Sequence, residues 1–121
     1  MNESSGVMKI LVTVEDEAIA GRFDMVTETV MAVYRQGERQ GAPKTFLVSQ
    51  PSAEELCRLI MKEEVGVLVC GGIEERHQKF LSWKGVRVLD AVIGPYAKAL
   101  ELAARGELEP GVILPGSQKT G

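Results

Sequence analysis

The run Met8-Lys9-Ile10-Leu11-Val12-Thr13-Val14 is apolar with almost no break. A strand of that kind needs cover on both faces, so it predicts a central strand. Glu15 to Asp24 reads as a loop carrying acidic residues, Gly21 and Arg22. Glu28 to Arg35 returns to a β-rich pattern, and Gln36 to Pro43, with Gly37 and Gly41, reads as a hairpin connection. Lys44-Thr45-Phe46-Leu47-Val48 is then a third strand. Connections this short favour antiparallel pairing.

The period then changes. Ser52-Ala53-Glu54-Glu55 is a capping box, in which the hydroxyl caps the helix and the glutamate can reach back. Ala53, Leu56, Cys57 and Ile60 follow at the spacing of one helical face. Near Glu64 the helix ends, and Val65 to Cys70 is an apolar strand. Ile73 to Trp83 predicts a second helix, with Ile73, His77, Phe80 and Leu81 on one side, stopped by Lys84-Gly85. Val86 to Leu89 is a strand. Pro95 suits the first turn of a third helix, which Gly106 is placed to end near Arg105.

The order is therefore β-β-β-α-β-α-β-α. Strand–helix alternation requires crossovers and parallel strands, so the expected architecture is α/β: a mixed five-stranded sheet with three helices packed against it. The Met8 strand should lie between the Glu28 strand and the Val65 strand. Residues 8–108 form one domain. Residues 1–7 are expected as a flexible tail, and residues 109–121, with two prolines and three glycines, as an irregular one.

Composition narrows the function classes. A chain of 121 residues, 45% hydrophobic and 26% charged, is an ordinary soluble globular domain. A net charge of -3 without a basic run argues against a charge-driven nucleic-acid surface. No apolar stretch reaches the length of a membrane span, and the polar start lacks the apolar core of a secretory signal. Two cysteines, Cys57 and Cys70, are too few for a disulfide scaffold. Both are expected reduced, in a cytoplasm.

The stretch Val67-Leu68-Val69-Cys70-Gly71-Gly72-Ile73 carries the best candidate chemistry. Cys70 closes a strand at the carboxyl edge of the parallel part of the sheet, where ligand sites commonly form. A following helix would lower its thiol pKa, and the amides of Gly71, Gly72 and Ile73 could hold an anion. The competing reading is a small buried residue beside a tight turn, and the glycine pair lacks the phosphate-loop pattern. His77 is either a satisfied, partly buried histidine or a metal ligand or proton carrier. Cys57 reads as core packing. Arg22 and Asp24, flanking Phe23, are candidates for a cleft edge. The acidic first loop reads as solvated, because no carboxylate lies on the Met8 strand to build a two-metal site. No Ser/His/Asp set can be assembled, so the expectation is a protein that is not an enzyme.

The element order, "MKILVTV", "GRFD", "VLVCGGI" and the ending "VIGPYAKALELAARGEL" together resemble the dinitrogenase iron–molybdenum cofactor biosynthesis family, the NifX- and NafY-like proteins and the C-terminal domain of NifB. The resemblance spans roughly residues 8–108. It implies a ribonuclease-H-like fold with sheet order 3-2-1-4-5. It also implies a non-catalytic carrier for an iron–molybdenum or other metal–sulfur cluster or its precursor, passed to or from a cluster-donor or acceptor protein. Cys70 would be the metal ligand, and Arg22, Phe23, Asp24, Gly71, Gly72 and His77 would surround the cluster or anion. One chain supplies few ligands, so the cluster would be held loosely or between two chains, as a monomer or weak homodimer. No nucleic acid or membrane partner is expected. Where the family often has histidine before the phenylalanine, this chain has Arg22, which stays protonated and cannot ligate a metal. It could still pair with an anionic cluster. The alternative is a regulatory or protein-interaction domain that binds no metal.

Overall fold

The computed structural model describes residues 6–116. Its elements are β1 (Val7–Glu15), β2 (Ala18–Ile19), a 3-10 turn (Phe23–Met25), β3 (Glu28–Arg35), β4 (Glu38–Arg39), β5 (Lys44–Leu47), α1 (Ala53–Lys62), β6 (Val67–Val69), α2 (Glu75–Trp83), β7 (Arg87–Leu89) and α3 (Tyr96–Ala104).

β1 holds the centre. It pairs antiparallel with β3 from Val7↔Arg35 to Val14↔Glu28, and parallel with β6 through Ile10↔Val67, Leu11↔Leu68 and Val12↔Val69. β7 runs parallel to β6 beyond it. β4 and β5 both pair antiparallel with β3, one at each end of it. The sheet thus has seven strands where the sequence pattern suggested five. The two extra ones are two-residue strands. β2 folds back on the end of β1 inside the loop read as merely solvated, through Val14↔Ile19 and Glu15↔Ala18. β4 is an exposed charged pair at a hairpin. Neither is long enough to show a period.

Side chains alternate along the central strands, and each side finds cover. Ile10, Val12 and Val14 pack with Val67, Val69 and α3 residues Ala99, Leu100 and Ala103. Leu11 and Leu68 point the other way, into Ala53, Leu56, Cys57 and Ile60 of α1 and Leu81 of α2. Each fully buried aliphatic of this kind stabilises the fold by about 1.5–3 kcal/mol. The result is a helix–sheet–helix sandwich, with α1 and α2 on one face and α3 on the other.

The helix ends follow their local chemistry. The Glu55 amide donates to Ser52 Oγ at 3.1 Å, the first half of the capping box. Its second half is replaced: the Glu55 carboxylate accepts from Arg58 Nη1 at 2.7 Å, one turn on. Past α3, Gly106 takes φ +74, and its amide donates to the Ala103 carbonyl at 3.0 Å.

Residues 1–5 and 117–121 lie outside the described residues, so the expected tails are visible only in part. Val7 already belongs to β1. The segment after α3 is irregular but packed: Leu108 and Leu114 are buried in the α3-side core. Leu114 donates to the Ile93 carbonyl at 2.9 Å, and Ile93 donates to the Val112 carbonyl at 3.0 Å. No helix among the described residues is long and apolar enough to cross a membrane.

Candidate functional site

β1 and β6 run parallel, so the chain leaves both at one edge of the sheet. There the Arg22-Phe23-Asp24 segment and the Cys70-Gly71-Gly72 turn lie side by side. The Phe23 amide donates to the Gly72 carbonyl, and the Gly72 amide donates to the Gly21 carbonyl, both at 2.8 Å. The approach requires Gly71. A Cβ there would collide with the Ala20 carbonyl oxygen and sit 2.5 Å from that of Gly21. On its far side, the turn receives Ala91 N–H at the Gly71 carbonyl (2.9 Å) and Val92 N–H at the Cys70 carbonyl (3.1 Å). Three loops are thus laced together by backbone bonds at the carboxyl edge.

This lacing bears directly on Cys70, Gly71, Gly72 and Phe23. Cys70 is fully buried, in the core shared by Leu11, Phe23 and Leu68. The expected lowering of its pKa is reversed: burial, with a smaller contribution from the Asp90 carboxylate, pushes the thiol far above its ordinary value. The helix dipole does not offset this burial. α2 starts at Glu75 rather than Ile73, so Cys70 lies outside its first turn, where the dipole acts. The Gly72 amide, expected to be open to an anion, is used in the seam. Phe23, expected beside the cluster or anion, opens the 3-10 turn with its ring fully buried. An aromatic ring gains more from core packing than from a solvated rim.

Arg22 and Asp24 do stand at the surface, tied to each other. Arg22 Nε and Nη2 donate to the two Asp24 carboxylate oxygens at 3.1 and 2.9 Å. The arginine is largely exposed and the aspartate partly covered. Asp24 also borders a hollow of about 260 Å³, shared with Ser52, Glu54, Glu74, Arg76 and His77. Glu74 accepts from Arg76 Nε at 3.0 Å, and its same oxygen lies 3.6 Å from His77 Nε2. The His77 ring is nearly buried and sits 6.3 Å from the Phe23 ring, tilted by 45°. His77 therefore connects the Arg22 loop to the α2 side of the sheet.

His77 also faces a second hollow that the sequence did not reveal. A groove of about 440 Å³ runs between α1 and α2, lined by Glu54, Cys57, Arg58, Met61, His77 and Phe80. The histidine shares it with Cys57, not with Cys70. Burial, then the Glu54 carboxylate, pushes the Cys57 thiol up to about 11. The signal for this grouping was present in the pattern: Cys57 and Met61 lie four apart, on one face of α1. What periodicity could not supply was that α2 would set His77 against that face. A further missed residue is Thr13, whose buried hydroxyl has no hydrogen-bond partner. Its cross-strand neighbour Thr29 donates to the Phe46 carbonyl at 3.3 Å.

No family model and no curated protein sequence matches the chain. Several solved structures do match in fold. The crystal structure of the protein PH0822 aligns with a TM-score of 0.75 at 16% identity, covering 85% of this chain and 94% of that one. A protein from Methanocaldococcus jannaschii, provisionally described as a dinitrogenase, aligns with a TM-score of 0.69 at 23% identity over 84% of this chain and 92% of its own. A Thermotoga protein provisionally described as a NifB protein of the DUF35 family aligns at 0.60 and 14% identity over 88% and 97%. At these identities the likeness is one of fold: nearly the whole of each chain follows the same mixed α/β path.

Proposed function

We propose that the chain is a non-catalytic carrier for a metal–sulfur cluster of the iron–molybdenum type, or for a precursor of one. The observation that carries this reading is the likeness in fold to two proteins provisionally described as a dinitrogenase and a NifB protein. In this reading the fold is ribonuclease-H-like, with long-strand order 3-2-1-4-5. The protein works in the cytoplasm, as a monomer or weak homodimer, between a cluster donor and an acceptor.

The cluster is cargo, and the surface offered to it is the edge beside the laced loops. Arg22, paired with Asp24 in the free chain, would turn its guanidinium to the cluster in place of that carboxylate, and His77 lies at the adjoining hollow. An arginine stays charged and attracts an anionic sulfide cluster without ligating it. Cys70 forms the wall behind this surface. Its thiol reaches a metal only if the Gly71-Gly72 seam opens, since it is fully buried. No three of His, Cys, Asp and Glu converge as a ligand set among the described residues. Loose holding, completed by the donor or acceptor, suits cargo that must be released.

The test is air-free reconstitution with a metal–sulfur cluster donor, reading bound metal per chain. Arg22→Ala should load less than wild type, most visibly at low ionic strength where charge is least screened. Cys70→Ser separates two forms of the reading. Loss of loading places the thiol on the cluster; retained loading leaves it as wall. Absence of loading in every form, wild type included, refutes the carrier reading.

A second reading, a regulatory or interaction domain that binds no metal, is favoured by one feature. Trp83 at the end of α2 is 78% exposed beside a partly exposed Phe80, with Lys84 Nζ 5.0 Å and 5.8 Å from the two rings. Aromatic residues are enriched at protein contacts.

A further inference from the structure

The groove between α1 and α2 is lined by two sulfur-bearing side chains and an imidazole. Cys57 and Met61 lie one turn apart on α1, and His77 faces them from the first turn of α2. Thiolate and thioether sulfurs select soft ions, and imidazole accepts them too. The residues around these donors are the ring of Phe80 on one side and Glu54 and Arg58 at the rim.

Donor type points to a soft, monovalent ion. One thiolate with a neutral thioether and a neutral imidazole carries a single negative charge. A monovalent ion neutralises these three donors, of which Cys57 is 8% and His77 9% exposed, and leaves the Glu54 carboxylate of the lining to solvent. A borderline ion such as Zn(II) needs three or four nitrogen, thiolate or carboxylate ligands. No such trio from His, Cys, Asp and Glu converges among the described residues. The third donor is a thioether, which soft ions take readily.

The surroundings supply an orienting partner. Metal-bound histidines commonly turn their second nitrogen to a carboxylate. The Glu74 carboxylate stands 3.6 Å from His77 Nε2, just beyond hydrogen-bond length, and is itself held by Arg76 Nε at 3.0 Å.

We propose that this groove binds one Cu(I) ion through Cys57 Sγ, Met61 Sδ and the His77 ring. Binding exchanges the thiol proton for the metal: the S–H bond is lost, an S–Cu bond forms, one proton goes to solvent, and no electron moves. The site shares His77 with the hollow beside Arg22, so Cu(I) binding is read on the chain without a cluster, and its failure leaves the cluster reading, which rests on the likeness in fold, untouched.

The experiment is equilibrium competition for Cu(I) against bathocuproine disulfonate, without air, on the full chain. Wild type should hold one Cu(I) per chain. Cys57→Ser should weaken binding by at least about 100-fold and Met61→Leu by about 10-fold, on the scale of losses seen when metal sites lose supporting groups. Met61→Leu nearly conserves volume, so an unchanged melting temperature guards against misfolding as the cause. Wild-type affinity in Cys57→Ser overturns the site. So does wild-type affinity in Met61→Leu, which would reduce it to a cysteine acting alone. Zn(II) displacing Cu(I) at equal concentration would overturn the choice of ion.

Discussion

Replacing Gly71 by alanine sets a methyl carbon against the Ala20 carbonyl oxygen and 2.5 Å from the Gly21 carbonyl oxygen. Both obstacles are backbone, so no side chain can turn aside. Reaching ordinary contact requires the seam to open by about 1 Å. That opening breaks the two 2.8 Å bonds joining Phe23 to Gly72 and Gly72 to Gly21. Two net hydrogen bonds at about 1 kcal/mol each and about 1–3 kcal/mol of overpacking give a loss of about 3–5 kcal/mol. Small domains hold only about 5–15 kcal/mol in total, so the effect is large. Gly72→Ala is the matched control. Its Cβ would meet nothing nearer than the Gly21 oxygen at 3.5 Å, and it should cost less than about 1 kcal/mol. Urea denaturation measures both. Native-state hydrogen exchange should show the Phe23 and Gly72 amides losing protection in Gly71→Ala alone. Equal stability of the two variants would refute the claim that the close approach at Gly71 holds the loops together.

Other outcomes follow from single residues. Thr13→Val removes a buried hydroxyl without a partner, and should leave stability unchanged or raise it by up to about 1 kcal/mol in thermal denaturation. Leu114→Ala should cost about 2–4 kcal/mol, because this side chain is buried in the α3-side core although it follows the last helix. Cys57 binds its proton more tightly in the folded state, where its pKa rises from 9.0 to about 11. Its contribution is therefore complete below pH 9.0 and is lost as pH rises to about 11, at up to about 1.4 kcal/mol per pH unit. Cys70 is shifted in the same direction and adds to the slope. Stability that stays flat from pH 9 to 11 would contradict the burial of both thiols.

Much of the fold was legible because long elements carry a period. The nearly unbroken apolar run of β1 announced a strand covered on both faces, and Ser52 marked the start of α1 through its hydroxyl. What escaped was short or tertiary. A two-residue strand such as Ala18–Ile19 shows no alternation, and Leu114 sits in a stretch whose prolines and glycines suggest only irregularity. At the site, the neighbourhood of the Arg22 loop and the Cys70 turn followed from parallel strands leaving at one edge. The state of Cys70 did not follow. Its burial depends on Ala20 and Gly21 closing over Gly71, a contact between segments about fifty residues apart. The grouping of Cys57 with His77 likewise depends on how α2 lies along α1, which no local pattern records.

The carrier reading is tested most directly by native mass spectrometry of the protein after air-free incubation with a metal–sulfur cluster donor and removal of the donor. It predicts a species with the mass of the chain, or of two chains, plus one intact cluster, which disappears when an acceptor protein is added. Only the bare chain, with every cluster recovered in the small-molecule fraction, would contradict it.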